Sequence, residues 1–294
     1  MFRLAMATHR DWPALCPDDA PLVPLLRDRG IEATPVCWDD PDADWQKYDA
    51  VLIRSVWDYY LRFDEFMAWF DLLDRLRVPC WNPSPLCRWN ARKTYLRDMA
   101  AQGVRIVPTH WVSSQERIDL RRLMEERGWN EVVIKPVVSA AGDRTHRIPL
   151  TEVTNGQRIL DQISPHNEIM IQPFVTDVLD AGEWSLIYLG GRYSHAVLKR
   201  PAQGEFRVQE EHGGETHAMT PPIALIRSAD EIAQQIPFDW LYARIDGFED
   251  QQTGEFILAE LEALEPLLFL SYDDHAHVRF ADAIAEMMRE SASS

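Results

Sequence analysis

The sequence predicts an α/β protein: a small open α/β domain first, then an α+β region of hairpins and helices. Three observations carry that expectation. Apolar runs at residues 2–7, 31–38, 50–54 and 78–81 are interleaved with helical stretches, the order of an open sheet. Residues 183–189 and 192–199 flank Gly190-Gly191, a two-residue hairpin turn. Residues 241–248 and 255–264 read as a second strand pair joined by a polar turn.

In chain order, FRLAMA at 2–7 opens the first strand, and a helix runs to Arg29 and stops at Gly30. After the strand at 31–38, AVLIR at 50–54 is continuously apolar up to Arg54, as in a strand buried on both faces. Asp64 is the expected cap of a helix whose Phe66, Trp69, Phe70, Leu73 and Leu76 share one face. Ligands of open α/β sheets bind beyond the carboxyl ends of strands. Arg54, Ser55, Trp57, Asp58 and Tyr59 stand at such an end. They read equally as a substrate-facing patch or as buried aromatics with a structural Arg–Asp pair.

Ser84-Pro85 starts a helical region that runs through Lys93 to Gly103. A strand at 104–108, extending as far as 112, and a capping box of Ser113 and Glu116 precede a helix that stops at Gly128. EVVIKP at 131–136 is a β-branched strand carrying Lys135, followed by a small-residue loop at 137–144. A lysine at a strand end beside such a loop suits phosphate, one point charge plus backbone amides. An ordinary hairpin with a snorkelling lysine fits the same residues. A helix at 155–163, the strand EIMIQPFV at 168–175 and the Gly-Gly hairpin follow. Residues 199–214 are polar and basic in their first half, and read as an ordered loop. A helix at 224–235 precedes the last strand pair, Asp274 caps a final amphipathic helix, and the tail SASS reads as disordered.

A chain of 294 residues with 46% apolar content can bury a substantial core and suggests two domains or one large one. A net charge of −17 argues against nucleic acid or an anionic membrane as the main partner, while leaving room for a small phosphate ligand. No apolar run reaches membrane-spanning length, and the N-terminus does not read as a signal peptide. Cys16, Cys37, Cys80 and Cys87 have no C-x-x-C spacing, which fits free thiols in a cytoplasmic protein.

The strand at 255–264 carries the strongest chemical signal. Strict alternation puts Phe256, Leu258, Glu260, Glu262 and Leu264 on one face. Two carboxylates at ~6 Å and an effective dielectric of ~20 repel by roughly 3 kcal/mol. A hard divalent cation would cancel that repulsion, and Asp246 on the preceding strand could complete its oxygen shell. Taken alone, the pair reads better as the solvated face of an edge strand. Lys93, Lys135, a small-residue loop, a basic loop and three acids together make a coherent nucleotide-using inventory. There is no G-x-x-x-x-G-K-[ST] sequence, so the chain is not a P-loop enzyme.

The order Lys93, VIKP with Lys135, small loop, IQPFV, EWSL hairpin, KRPAQGEFRVQEEHGG, RID and AELE resembles the ATP-grasp superfamily over nearly the whole chain. The stretch from Glu183 to Gly214 is similar to glutathione synthetase-like and ribosomal-protein glutamate ligase-like enzymes. RS-x-WDY and WNARKTYL resemble the subgroup containing the D-cycloserine-forming ligase. The resemblance implies an ATP-grasp fold preceded by a small open α/β domain, divided as 1–88, 89–176 and 177–294. It implies ATP phosphates at Lys93 and Lys135 under a loop of Ser139, Ala140, Ala141 and Gly142. Adenine would lie along Gln172, Pro173, Phe174 and Val175, with Glu183 nearby. Mg2+ would sit on Asp246, Glu260 and Glu262, although many relatives have Asn at the position of Glu262 and Glu265 is an alternative. Arg200 and Arg207 would hold the substrate carboxylate and its acyl phosphate, assisted by Arg244. The implied activity is a carboxylate–amine ligase acting on a small amino-acid-like substrate, as a homodimer or homotetramer. The rivals are an ATP-grasp kinase and a regulatory protein that binds nucleotide without turnover.

Overall fold

The computed structural model describes residues 1–140, 142–202, 204–208, 213–250 and 253–291. Ala141, part of the basic loop and residues 292–294 of the tail lie outside the described residues. The strands form three sheets. The first runs β2 (Ile31–Cys37), β1 (Phe2–Thr8), β3 (Ala50–Ile53), β4 (Cys80–Trp81), with every pair parallel. All four residues of β3 are buried, which accounts for its unbroken apolar sequence. Helix α1 (Leu22–Arg27) packs with α9 (Ala276–Ser291), so the C-terminal helix shares a core with β1. Helix α2 (Phe63–Leu76) buries Phe66, Trp69, Phe70 and Leu73. It begins one residue before Asp64, which makes no capping bond and lies in the first turn. Trp38 and Trp69 pack against Phe66 and Trp45 against Trp69, so these tryptophans belong to the core.

The helix expected from 85 to 103 is broken into α3 (Ser84–Asn90) and α4 (Tyr95–Ala101). In the break, the Lys93 N–H donates to Val137 O at 2.9 Å and not to a helical carbonyl. A second, antiparallel sheet follows. Its order is β5 (His110–Val112), β8 (Ile169–Pro173), β6 (Glu131–Pro136), β7 (His146–Pro149), backed by α5 (Leu120–Arg127) and α6 (Val153–Ile163). The strand expected at 104–108 is instead a loop with one isolated bridge, Ile106 to Leu258. Ser113 and Glu116 form a turn, not a helix start; the cap of α5 is Asp119, whose carboxylate accepts from Arg122 N. Gly128 ends α5 in the left-handed conformation, φ 68°.

The third sheet is antiparallel. After the short helix α7 (Asp177–Asp180) come β9 (Glu183–Leu189), β10 (Arg192–Arg200) and β11 (Glu215–Ala218), the last not expected from sequence. Helix α8 (Ile223–Gln234) leads to β12 (Tyr242–Glu249) and β13 (Phe256–Glu262), giving the order β11-β10-β9-β12-β13. A bulge corrects the alternation expected for β13. Asp246 pairs with Glu260 but Gly247 pairs with Leu258, leaving Ala259 as the extra residue. Phe256 and Leu258 therefore pack in the core with Leu261 and Ala263, while Ala259, Glu260 and Glu262 line a cavity. Gly247 makes room for the bulge: a Cβ there would lie 2.3 Å from Ile257 O and 2.5 Å from the Phe256 ring.

Candidate active site

A cavity of about 340 Å³ lies between the second and third sheets and reaches the first domain. Lysines from three elements enter it: Lys93 from the break between α3 and α4, Lys135 from β6 and Lys199 from β10. Glu183, Asp246, Glu260, Glu262 and Glu265 line the same space. Ser139, Ala140 and Gly142 border it on one side, and Gln172, Pro173, Phe174 and Val175 on another.

The side chains that meet here are strongly coupled. Lys93 Nζ lies 2.6 Å from Glu260 Oε1 and donates to Ser139 O at 2.9 Å, joining β13 to the small-residue loop. Burial opposes the Lys93 charge, yet Glu260, Glu262 and Glu265 raise its pKa above the ordinary lysine value. Lys135 is different. Burial lowers its pKa, Glu260 only partly offsets that, and its ammonium makes no hydrogen bond or ion pair among the described residues. Arg244 donates from Nε and Nη2 to Asp246 at 2.9–3.0 Å and from Nη2 to Glu262 at 2.5 Å. Asp246 also accepts from Ser185 Oγ and lies 3.5 Å from Lys199 Nζ. Burial pushes the Glu262 carboxyl up to about 7 despite Arg244, and burial with Glu262 pushes Glu265 up to about 8. The backbone beneath these acids is fixed by the side-chain amides of Asn82 and Asn90. Asn90 Oδ1 accepts from Ala263 N and Leu264 N, and Asn82 Nδ2 donates to Ala263 O at 2.6 Å.

Not every expected residue reaches the cavity. Arg54 is buried against Asp19 at 3.0 Å and donates to Pro266 O, and Ser55 also donates to Asp19. Asp58 accepts from Trp38 Nε1 and Arg62. These three are scaffold, while Trp57 and Tyr59 do line the cavity. Arg207 lines it too, paired with Glu205 at 2.8 Å. Arg200 does not, because side chains alternate along a strand. Lys199 points inward, 2.5 Å from Glu183, and Arg200 is exposed. Lys199 was not singled out from sequence, although a lysine closing the buried run HAVLK is the same signal that marked Lys135. Lys199→Met, which strands Glu183 but leaves Asp246 its Arg244 partner, is expected to cost about 1–3 kcal/mol. Arg200→Ala is expected to stay within about 0.5 kcal/mol. Urea unfolding midpoints of the two variants compare them directly.

The acids suit a hard cation only in part. Among the described residues no group of three or more His, Cys, Asp or Glu is arranged as a metal cage. The expected trio is divided by its cations: Asp246 and Glu262 share Arg244, and Glu260 is held by Lys93. Two adjacent oxygen-donor carboxylates with too little positive charge, as Glu262 shows, are nevertheless what Mg2+ uses. It binds through one or two carboxylates plus ligand phosphates.

The chain is similar to known proteins over nearly its whole length. Residues 4–82 match the family model of the D-cycloserine synthetase DcsG N-terminal domain, and residues 98–239 match that of the prokaryotic glutathione synthetase ATP-grasp domain. The cycloserine biosynthesis protein DcsG of Streptomyces lavendulae is 28% identical over 285 residues, 92% of this chain and 94% of that protein. The crystal structure of D-cycloserine synthetase DcsG superposes with a TM-score of 0.88 at 26% identity, covering 97% of this chain and 99% of that one. D-alanine–D-alanine ligase from Bacillus anthracis, complexed with ATP, shares the fold at a TM-score of 0.69 and 14% identity, covering 100% of this chain and 99% of that one. No helix among the described residues is long and apolar enough to cross a membrane. With a glutathione synthetase-type ATP-grasp domain matched at residues 98–239 behind a D-cycloserine synthetase-type N-terminal domain at residues 4–82, the chain is an ATP- and Mg2+-dependent carboxylate–amine ligase.

Proposed function

We propose that this ligase activates the carboxylate of a small amino-acid-like molecule and closes it onto an amine of the same molecule, in the manner named for its D-cycloserine-forming relative. The observation that carries the reading is the single cavity in which Lys93, Lys135 and Lys199 face Asp246, Glu260 and Glu262 beside Arg244. A substrate carboxylate oxygen attacks the γ-phosphorus of ATP, ADP leaves, and the amine then displaces phosphate from the acyl phosphate and loses a proton. Lys93 and Lys135 hold phosphate oxygens, and Ser139, Ala140 and Gly142 cover them. Gln172 to Val175 take the adenine, and Glu183 stands nearby, tied to Lys199. Glu260 and Glu262, with Asp246 shared with Arg244, would hold Mg2+, which when bound neutralises phosphate charge. Arg207 and Arg244 stabilise the negative charge that develops on the transferred group. The proposed division is 1–88, 89–176 and 177–294, in a cytoplasmic enzyme.

Coupled ADP release tests the reading. With a panel of amino acids bearing a second amine, wild type is expected to release ADP and phosphate in equal amounts and to form a cyclic amide. A stable phosphorylated product would select a kinase instead. Nucleotide binding without ADP release on any substrate would select a regulatory protein.

A further inference from the structure

Residues 265–267 are held unusually firmly for a loop. Trp57 Nε1 donates to Glu265 O at 2.9 Å, Arg54 Nη2 to Pro266 O at 3.0 Å, and Arg244 Nη1 to Leu267 O at 2.9 Å. Three successive carbonyls are thus pinned by three side chains from two domains. The side chain on this fixed backbone, Glu265, is 8% exposed and lines the cavity. Its carboxyl accepts no hydrogen bond and pairs with no cation among the described residues. Beside it the Tyr59 hydroxyl, on a residue 4% exposed, is likewise without a hydrogen bond, and Glu265 is the charge that acts on it most. The lysines and Arg244 are committed to, or lie nearest, the other acids. A buried carboxylate without a partner is costly, so a rigid one left open to a cavity calls for a cation brought by the ligand.

We infer that Glu265 and Tyr59 form a subsite for the primary ammonium group of the substrate, walled by the Trp57 ring and distinct from Glu260 and Glu262. An ammonium carries three donors; two carboxylate oxygens and one phenol oxygen match them. The inference rests on the ligase reading and extends it: the substrate is a zwitterion whose carboxylate faces Arg244 and whose retained ammonium faces Glu265.

The test is calorimetric titration of the full chain, saturated with Mg2+ and a non-hydrolysable ATP analogue, with D-alanine, D-serine and D-cycloserine and the N-acetyl derivative of each. At least one free amine is expected to bind, and N-acetylation to weaken it about tenfold or more, the loss of one charge-assisted contact. Glu265→Gln is expected to weaken the free amine by the same factor, to leave the acetylated form unchanged, and to bind the nucleotide analogue normally. Tyr59→Phe is expected to give a smaller loss of the same kind. If Glu265→Gln does not fold, Tyr59→Phe and the acetylation pair decide the matter. Equal binding of amine and acetylated forms to wild type overturns the inference, as does binding of none of the amines or an unaltered amine affinity in Glu265→Gln. A Glu265→Gln defect confined to the Mg2+ dependence of nucleotide binding also overturns it, making Glu265 a metal ligand. Failure of the ligase reading shows separately, as an absence of nucleotide binding or ADP release.

Discussion

Arg244→Ala is expected to lose about 3–5 kcal/mol of stability without nucleotide, and to release ADP about 10²–10³-fold more slowly. The guanidinium holds two carboxylates at once, Asp246 through three hydrogen bonds and Glu262 through one, and its remaining nitrogen caps Leu267 O. Its own pKa is raised, because the attraction of Asp246 and Glu262 outweighs the burial that opposes its charge. Removing it leaves buried acids facing one another, and Lys199, already paired with Glu183, lies 3.5 Å from Asp246. The same residue faces the charge that develops during phosphoryl transfer, where loss of one such donor costs about 10²–10³ in rate. Arg244→Lys is expected to fall between, since an ammonium keeps the charge but not the planar fork. A denaturation midpoint for Arg244→Ala equal to wild type would show that this ion cluster does not stabilise the fold.

Lys135→Met is expected to behave in the opposite way: unaltered or raised stability, and a fall of about 10²–10³ in ADP release. Lys135 is buried on β6 with a lowered pKa, so folding disfavours its charge. That penalty applies at any pH below the lowered value and fades as pH rises through it; an apolar side chain of similar length removes it. The benefit of the lysine arrives with an anionic ligand. A nucleotide at about a hundred times its dissociation constant stabilises wild type by about 2.7 kcal/mol, and Lys135→Met is expected to lose most of that gain. Thermal melts with and without the ATP analogue measure both terms. A variant that is strongly destabilised without nucleotide, or that keeps the full nucleotide shift, would remove Lys135 from the phosphate site.

The two lysines show how far sequence alone could go. Lys135 was legible because a lysine within EVVIKP breaks an apolar strand, and its position on β6 follows from that pattern. Lys93 was placed from resemblance to ATP-grasp ligases. Its position in a break between two helices, held by Val137 O, depends on a residue just past the end of β6, far away in the chain. Lys199 and Arg200 are neighbours on one strand; alternation separates them, but which one faces inward depends on what β9 and β12 place beside them. The patch at 54–59 divided in the same manner. Arg54, Ser55 and Asp58 found protein partners in Asp19, Trp38 and Arg62, whereas Trp57 and Tyr59 reached the cavity.

What the amino-acid order determined by itself was local and periodic: the parallel N-terminal sheet, the Gly-Gly hairpin, the helix stops at glycine and the order of the charged motifs. Those features depend on steric freedom and on periods of two or 3.6 residues, which short stretches carry alone. The tertiary structure decided which charges meet. The bulge at Ala259, allowed by the absent side chain of Gly247, turned Phe256 and Leu258 into the core and left Glu260 and Glu262 in the cavity. Arg244 then bound two of the three acids expected to share a metal, and Glu265 was left without a partner. Electrostatic partnership in a buried site is set by distances between distant segments, and a change of one residue in register reverses every face beyond it.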